Sequence, residues 1–256
     1  MYRTWGEGTG SRIKLVWEQM MGINNTYEKE DKLIKNIIAT GCKAVINDPR
    51  VYKYVKDMAE CSRQLYIHSI NVAILSLIMG IKVIDDSKKL AELFTAALLH
   101  DYGKLFVPAK ILNKTCGLTE HERCEIEKHS EIGYQRLLTD KYFNDRVLLG
   151  VLEHHERMDG TGYAKGKCGS DISSYAKIIM IADVYDAMIS DRVYRTRIDR
   201  GIVYEYLFSN AGKHFSRLLI KSFINSTLSL ELDYVICEVE REIFGDSIDE
   251  TVKICL

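Results

Sequence analysis

Proline is nearly absent from this chain of 256 residues, and no other feature of the sequence constrains its fold as strongly. Only Pro49 and Pro108 occur. Because a proline removes a backbone donor and breaks or kinks a helix, long uninterrupted helices are allowed almost everywhere else. Hydrophobic residues make up 46% of the chain, which is enough to bury one large core, with or without appendages.

Apolar residues recur at helical spacing over most of the chain. Residues 11–60 are predicted to form a helical prelude, whose last helix has Asp48 as N-cap and Pro49 in its first turn. Further helices are predicted at about 65–79, after a Ser87 cap, after Thr119, at about 147–156 and after residue 173 or 174. No convincing strand precedes residue 228, and residues 228–237 fit a strand or an amphipathic helix equally well.

Charge and cysteine content exclude several classes of protein. The formal net charge of −1 gives no global field for binding a nucleic acid polymer or a membrane surface. Seven cysteines without a CxxC pair favour reduced thiols over a disulfide framework, and this predicts a cytoplasmic setting. The most apolar segment, residues 70–79, is shorter than the roughly 18 residues of a membrane helix.

A cluster of polar side chains follows the apolar helical run that ends at residue 99. His100, Asp101 and Lys104 lie within five residues, and burying them without a counter-ion would be costly. An imidazole offers one lone pair, a carboxylate can bridge two metal ions, and a lysine ammonium suits a phosphate. Taken alone, the pair of His100 and Asp101 is equally typical of an ordinary helix end with a satisfied histidine.

Other polar residues within apolar helices favour the interpretation as a site. Asp183 interrupts the most apolar run of the second half, and Asp186 follows three residues later on the same helical face. A carboxylate buried there would be protonated or destabilising without a partner, which could also be an arginine or a helix cap. Four further histidines lie within or at the ends of apolar helices: His68, His129, His154 and His155.

These motifs resemble those of the HD-GYP family, a branch of the HD metal-dependent phosphohydrolases. Residues 100–104 are similar to its HDxGK motif, and residues 154–163 to HHExxDGxGYP, although Ala164 replaces the proline. Supporting segments are residues 129–133 and 183–186. The resemblance covers about residues 55–225, so the predicted division is an N-terminal helical prelude over 1–54, a catalytic domain over 55–225 and a C-terminal segment of uncertain structure over 226–256. It implies an all-α helical bundle of the HD superfamily.

The resemblance also implies a centre of two divalent metal ions. One ion would be bound by His68, His100, Asp101 and Asp183. The other would be bound by His129, His154 and His155, with Asp101 bridging the two. This set of nitrogen and oxygen ligands suits iron or manganese, and zinc is less favoured without a thiolate. Gln64 stands where members with a third metal carry a glutamate, so a third ion is not expected.

The family's characteristic activity is hydrolysis of bacterial cyclic dinucleotides, usually cyclic di-GMP in signalling. Two metal ions lower the pKa of a bridging water toward about 7, which would supply hydroxide for attack on phosphorus and yield the linear dinucleotide. Asp101 and Lys104 are the predicted catalytic residues. The predicted substrate contacts are Lys104, Gly160, Gly162, Tyr163, Arg192 and Arg195.

Several alternatives stay open. The substrate could be another nucleotide, such as cyclic GMP-AMP, because the sequence has no recognisable base-reading motif. The altered GYP loop is also compatible with a non-catalytic family member, which binds a cyclic dinucleotide or a GGDEF-type partner without hydrolysing a substrate. Arg192 and Arg195 also fit a solvated helix end. Whether the chain forms a homo-oligomer is left open as well.

Overall fold

The computed structural model describes residues 48–190 and 198–228. Ten α-helices and two short 3-10 helices, at Tyr102–Phe106 and Gly169–Asp171, form this part of the chain, and it contains no strand. The α-helices are α1 Pro49–Cys61, α2 Arg63–Gly80, α3 Ser87–Leu99, α4 Ala109–Leu112, α5 Glu120–Glu127, α6 His129–Thr139, α7 Asp145–Glu153, α8 Ser174–Ile189, α9 Arg200–Ser209 and α10 Arg217–Leu228. The predicted all-α bundle is confirmed for these residues.

Helix α2 lies at the centre of the bundle because it is apolar around most of its circumference. Every residue from Val72 to Gly80 is buried. A helix with this pattern is stable only when other elements cover it on all sides, and α1, α3, α8 and α10 pack against it. Among the described residues, no helix is both long enough and apolar enough to span a membrane.

Most helix starts follow the capping residues in the sequence. The Asp48 side chain accepts a hydrogen bond from the Arg50 backbone N–H at 2.9 Å, one residue after Pro49 begins α1. Thr119 and Glu122 form a reciprocal capping box at the start of α5. The predicted caps at Asp48 and Thr119 are therefore confirmed.

The predicted Ser87 cap is wrong by one residue. The Asp86 carboxylate accepts from the backbone N–H groups of Lys88 and Lys89 at 2.8 and 3.1 Å. Ser87 is instead the first residue of α3. An aspartate is as good an N-cap as a serine, and here the extended backbone of Asp86 aims its carboxylate at the free N–H groups.

Several predictions fall on segments outside the described residues. These are most of the helical prelude, the choice between strand and helix beyond residue 228, and the contacts of Arg192 and Arg195. The predicted domain boundaries at residues 54 and 225 also stay predictions.

Candidate metal centre

Seven predicted ligand side chains converge in one polar cluster within the apolar bundle. They come from α2, the segment after α3, the start of α6, the segment after α7, and α8. His100, Asp101 and His129 are fully buried. The full set is His68, His100, Asp101, His129, His154, His155 and Asp183.

The same kind of local hydrogen bond orients three of the histidines. The Nδ1 atom of each lies within hydrogen-bonding distance of the carbonyl oxygen three residues earlier, which lacks the usual helical hydrogen bond from the N–H group four residues later because a helix ends there. The distances are 2.7 Å for His100 to Ala97, 2.6 Å for His129 to Ile126 and 2.7 Å for His154 to Val151. Since Nδ1–H donates to the carbonyl group, the lone pair of Nε2 points into the cluster.

This arrangement depends on two helix ends that differ from the predicted ones. The helix opened by Thr119 ends at Glu127, so His129 begins α6 instead of lying about ten residues into one helix. The helix predicted at about 147–156 ends at Glu153, and His154 is its C-cap. Each break frees a backbone carbonyl group for an imidazole, which a continuous helix would not allow.

The Asp101 carboxylate lies between two groups of histidines. Its Oδ1 is 3.2 Å from His129 Nε2 and 3.8 Å from His154 Nε2. Its Oδ2 is 3.4 Å from His100 Nε2 and 3.5 Å from His68 Nε2. One carboxylate therefore presents each of its oxygens to a different pair of imidazoles, which is the arrangement expected of a bridging ligand.

The cluster leaves polar atoms that the described protein residues do not satisfy. Asp101 Oδ1 and His100 Nε2 are buried and lack a hydrogen-bond partner. His129 Nε2 and His154 Nε2 face each other at 3.2 Å, although both atoms carry lone pairs once Nδ1 is protonated. Acceptors that face acceptors in a buried site are costly without a cation between them. The residues present therefore fit divalent metal ions.

Asp183 contacts both halves of the cluster. Its Oδ1 lies 3.1 Å from His68 Nε2 and 3.9 Å from His100 Nε2, while its Oδ2 lies 4.0 Å from His155 Nδ1. The family resemblance implies Asp183 as a ligand on the His68 side alone. Among the described residues no arginine pairs with it, so the alternative of an ordinary buried ion pair finds no support there.

The electrostatics of most of the cluster favour the protonation states that bind metal. Burial lowers the pKa of His155 to about 3 and that of His154 well below its usual value, so both imidazoles are neutral. Burial opposes ionisation of Asp101, but the nearby Lys104 and His100 hold its pKa well below the usual range. Neutral imidazoles and ionised carboxylates are the forms that coordinate a cation.

His68 is the exception in this cluster. Burial acts against its protonation, but hydrogen bonds to Asp101, Asp183 and Asp186 raise its pKa well above the usual value. An ion bound there must therefore displace a proton.

Gly103 allows the segment after Asp101 to lie directly against α6. A Cβ atom at this position would come within 1.9 Å of the His129 carbonyl oxygen. No side chain fits in that space, so close packing explains why the HDxGK motif has a glycine at this position. It brings the Asp101 segment and the start of α6 close enough for Asp101 and His129 to meet.

Hydrogen bonds to Glu156 hold the loop after His155 in place, and Glu156 is not among the predicted site residues. The Glu156 side chain is 1% exposed, and its carboxylate accepts hydrogen bonds from the backbone N–H groups of Lys165 and Lys167 at 2.6 and 3.0 Å. Glu153 similarly accepts from the Ser173 backbone N–H at 2.7 Å. Glu153 follows a conspicuously apolar run and Glu156 is the glutamate of the HHExxDGxGYP motif, and these are the sequence signals that could have indicated them.

Gly162 and Tyr163 of this loop lie against His155. Tyr163 donates its backbone N–H to the His155 carbonyl group at 3.1 Å, and the two rings lie 4.7 Å apart at an angle of 32°. A Cβ atom on Gly162 would come within 2.4 Å of the same carbonyl oxygen. The Gly160 N–H bonds to the Arg157 carbonyl group at 2.9 Å. These contacts explain the residue types, while their role in binding substrate stays a prediction.

The remaining predicted residues are placed as follows. Lys104 lies at the edge of the cluster, with its ammonium 2.5 Å from Asp101 Oδ2 and its side chain 22% exposed. Gln64 is exposed in the first turn of α2, one turn before His68. Arg192 and Arg195 lie outside the described residues.

Comparison with known proteins agrees with this geometry. The family model described as "HD domain" matches residues 32–219. The chain belongs to the HD-domain family. The resemblance inferred from the motifs is therefore confirmed, and HD-domain phosphohydrolases are metal-dependent.

Curated relatives share part of their length with this HD-domain chain. Cyclic di-GMP phosphodiesterase PdeB of Borreliella burgdorferi is 36% identical over 170 residues, which are 66% of this chain and 45% of the relative. The 3'3'-cGAMP-specific phosphodiesterase 3 of Vibrio cholerae is 39% identical over 129 residues, which are 50% of this chain and 28% of the relative. The chain thus spans less than half the length of each.

A solved structure supports the fold. The HDG"Y"P protein of Bdellovibrio bacteriovorus superposes with a TM-score of 0.55 at 21% identity, covering 88% of this chain and 82% of that one. At this identity the likeness concerns the fold alone.

Proposed function

We propose that this HD-domain chain is a two-metal phosphodiesterase that hydrolyses a cyclic dinucleotide, with cyclic di-GMP as the principal substrate, to the linear dinucleotide. The observation that carries the proposal is the position of Asp101, whose Oδ1 faces His129 and whose Oδ2 faces His68 and His100. A carboxylate placed between two groups of imidazoles suits a pair of ions more than a single ion.

The charge of such a centre suits an anionic substrate. Two carboxylates against two divalent ions leave an excess of two positive charges, because an imidazole that coordinates a metal ion is neutral. When bound, the ions would polarise the phosphodiester and activate water as a nucleophile. The ligand set of five imidazoles and two carboxylates favours iron or manganese, with zinc as a third choice.

Residues of the chain itself would bind and orient the substrate. Lys104 offers a compact positive charge at the edge of the cluster, where its side chain is 22% exposed and therefore within reach of a phosphate. The loop that carries Gly160, Gly162 and Tyr163 borders the His155 side and would limit how deeply the dinucleotide enters. Arg192 and Arg195 are proposed as further phosphate contacts.

The number of ions is proposed to be two because Gln64 is neutral and exposed. An amide is a poorer ligand than a carboxylate, and a third ion would raise the positive excess further. A two-metal centre suits hydrolysis of one of the two phosphodiester bonds, so the linear dinucleotide should accumulate before any mononucleotide.

The four described cysteines, which are exposed and unpaired, are in keeping with a reducing, cytoplasmic setting.

The test combines metal analysis with product analysis. Protein prepared without oxygen should contain two metal ions per chain and convert cyclic di-GMP to its linear form. Asp101→Ala should lose both metal loading and hydrolysis, whereas His121→Ala, which changes an exposed histidine on α5, should lose neither. Two retained ions in Asp101→Ala would disprove the bridging role.

A second candidate substrate is 3'3'-cGAMP. The observation that favours it is the 39% identity to a phosphodiesterase named for that substrate. Competition between cyclic di-GMP and 3'3'-cGAMP in one reaction would rank the two by kcat/KM. Binding of either nucleotide by metal-loaded protein without any product would favour the non-catalytic alternative.

A further inference from the structure

Asp186 contacts the metal cluster only through His68. Its Oδ2 lies 2.6 Å from His68 Nδ1, and its Oδ1 accepts a hydrogen bond from Asn71 Nδ2 at 2.9 Å. Ser190 Oγ donates to the same Oδ1 at 3.2 Å. Asp186 is 2% exposed. A carboxylate buried this deeply is stable only because several donors replace its water.

His68 needs this side-chain partner because of its place in the fold. It lies inside α2, where the carbonyl groups of the preceding turn are already engaged in the helix. His100, His129 and His154 lie at helix ends and use backbone carbonyl groups of the last helical turn instead. His68 is therefore supported by a charged acceptor, while these three histidines are supported by neutral ones.

The charged acceptor changes what His68 offers to a metal. With Nδ1–H donated to Asp186, Nε2 is the atom that faces the cluster, and it lies 3.1 Å from Asp183 Oδ1 and 3.5 Å from Asp101 Oδ2. A carboxylate attracts the Nδ1 proton more strongly than a carbonyl group does. The imidazole thereby becomes a more basic ligand with a fixed orientation.

We infer that Asp186 is a positioning residue that makes the His68 side of the centre bind its divalent ion more tightly than the side formed by His129, His154 and His155. The two ions would then load in a set order, with the His68 side first. This inference rests on the proposed metal centre, but it does not depend on which nucleotide is the substrate.

The test is a calorimetric titration of Mn²⁺ into chelator-treated protein. The parent should bind two ions in two steps of different affinity. Asp186→Asn should weaken the tighter step by about 10–100-fold and leave the weaker step unchanged. The reason is that an amide has one acceptor oxygen, which cannot serve both His68 Nδ1–H and Asn71 Nδ2.

The matched control is Ser190→Ala. It removes one hydrogen bond to Asp186 and keeps the carboxylate against His68, so both Mn²⁺ affinities should equal those of the parent. Cobalt substitution adds a readout that a purely structural role would not change. The absorption bands of the first Co²⁺ bound should shift in Asp186→Asn and stay unshifted in Ser190→Ala.

A double-mutant cycle shows whether Asp186 acts through His68. In a His68→Ala background, Asp186→Asn should cause no further loss of Mn²⁺ affinity. If Asp186→Asn does not fold, Asp186→Glu replaces it in both experiments, with an expected affinity for the tighter step below that of the parent because the longer side chain displaces the carboxylate from Nδ1.

The possible outcomes separate this inference from the proposed function. Equal weakening of both steps, no weakening of either, or additive effects in the cycle would overturn the role of Asp186. No Mn²⁺ binding by the parent would overturn the metal centre itself. Two-step binding with the expected effect of Asp186→Asn, but no hydrolysis of any cyclic dinucleotide, would leave the inference standing and disprove the proposed activity.

Discussion

The Lys104 ammonium lies 2.5 Å from Asp101 Oδ2, so the carboxylate proposed to bridge two metal ions also contacts a cation of the protein itself. Both residues belong to one short turn, where Lys104 follows Asp101 by three positions. The Lys104 side chain remains 22% exposed, whereas Asp101 is fully buried. The pair therefore connects the buried cluster with the surface from which a substrate would arrive.

Lys104→Ala should lower turnover without changing metal content. The ammonium is proposed to stabilise charge on the phosphate, and loss of one such electrostatic contact costs about 10²–10³ in rate. Metal analysis and steady-state kinetics measure the two quantities separately. Lys110→Ala, which changes an exposed lysine of α4, is the matched control. Turnover at the parent rate in Lys104→Ala would show that this lysine is only a partner of Asp101.

Glu156→Gln should loosen the loop that carries Tyr163. The glutamine has one acceptor oxygen for the two backbone N–H groups of Lys165 and Lys167, and a buried donor left without a partner costs about 1–3 kcal/mol. Urea unfolding would measure the loss of stability, and trypsin cleavage after Lys165 or Lys167 should become faster.

Glu131→Gln is the control for this loop. It removes an ion pair to Lys165 in which both side chains are about half exposed. Such surface pairs contribute little, about 0–1 kcal/mol, so the stability and the cleavage rate should stay close to those of the parent. Equal effects of the two substitutions would contradict a special role for Glu156.

Gly103→Ala should destabilise the fold and reduce metal loading together. The added methyl group would lie 1.9 Å from the His129 carbonyl oxygen, so α6 must shift away from Asp101. Overpacking of this kind costs about 1–3 kcal/mol or more. Thermal unfolding and metal analysis check both effects. At Gly117 an added Cβ atom would meet no atom within 4 Å, so Gly117→Ala should leave metal loading unchanged.

The ion pair between Glu92 and Arg146 should contribute stability that depends on pH. Hydrogen bonds from Arg146 and Tyr175 lower the Glu92 pKa below its ordinary value of 4.5, although burial opposes this. A group with a lowered pKa in the folded state stabilises the fold above its unfolded pKa, and this contribution is lost as pH falls through the folded value.

Glu92→Gln should therefore be less stable than the parent at pH 7, by about 1 kcal/mol because half of the Arg146 side chain is exposed to solvent. The difference should shrink as pH falls below 4.5. Urea unfolding from pH 7 to pH 3 measures it. Glu60→Gln, which affects an exposed pair with Lys56, should show no comparable trend, and a constant difference for Glu92→Gln would contradict the pKa argument.

The sequence by itself determined those features that depend on neighbours along the chain. The apolar spacing of residues 65–79 predicted the central helix, and the positions of Thr119 and Glu122 predicted a capping box, because helices and caps are held by bonds between residues three or four apart. The identities of the imidazole and carboxylate residues, such as His100 and Asp101, likewise predicted a polar cluster in an apolar core. The exact helix breaks at Glu127 and Glu153 escaped prediction, since neither is followed within three residues by a proline or glycine that would mark a helix end.

Only the tertiary structure decided which groups face one another. His68 and Asp186 are separated by 118 positions in the chain, and their contact at 2.6 Å exists because α2 and α8 pack side by side. The approach of Asp101 to His129 requires the bare backbone of Gly103, and Asp183 reaches both halves of the cluster. Spacing along a chain fixes the face of a helix on which a side chain lies, but the distance between two helices depends on the whole packed core.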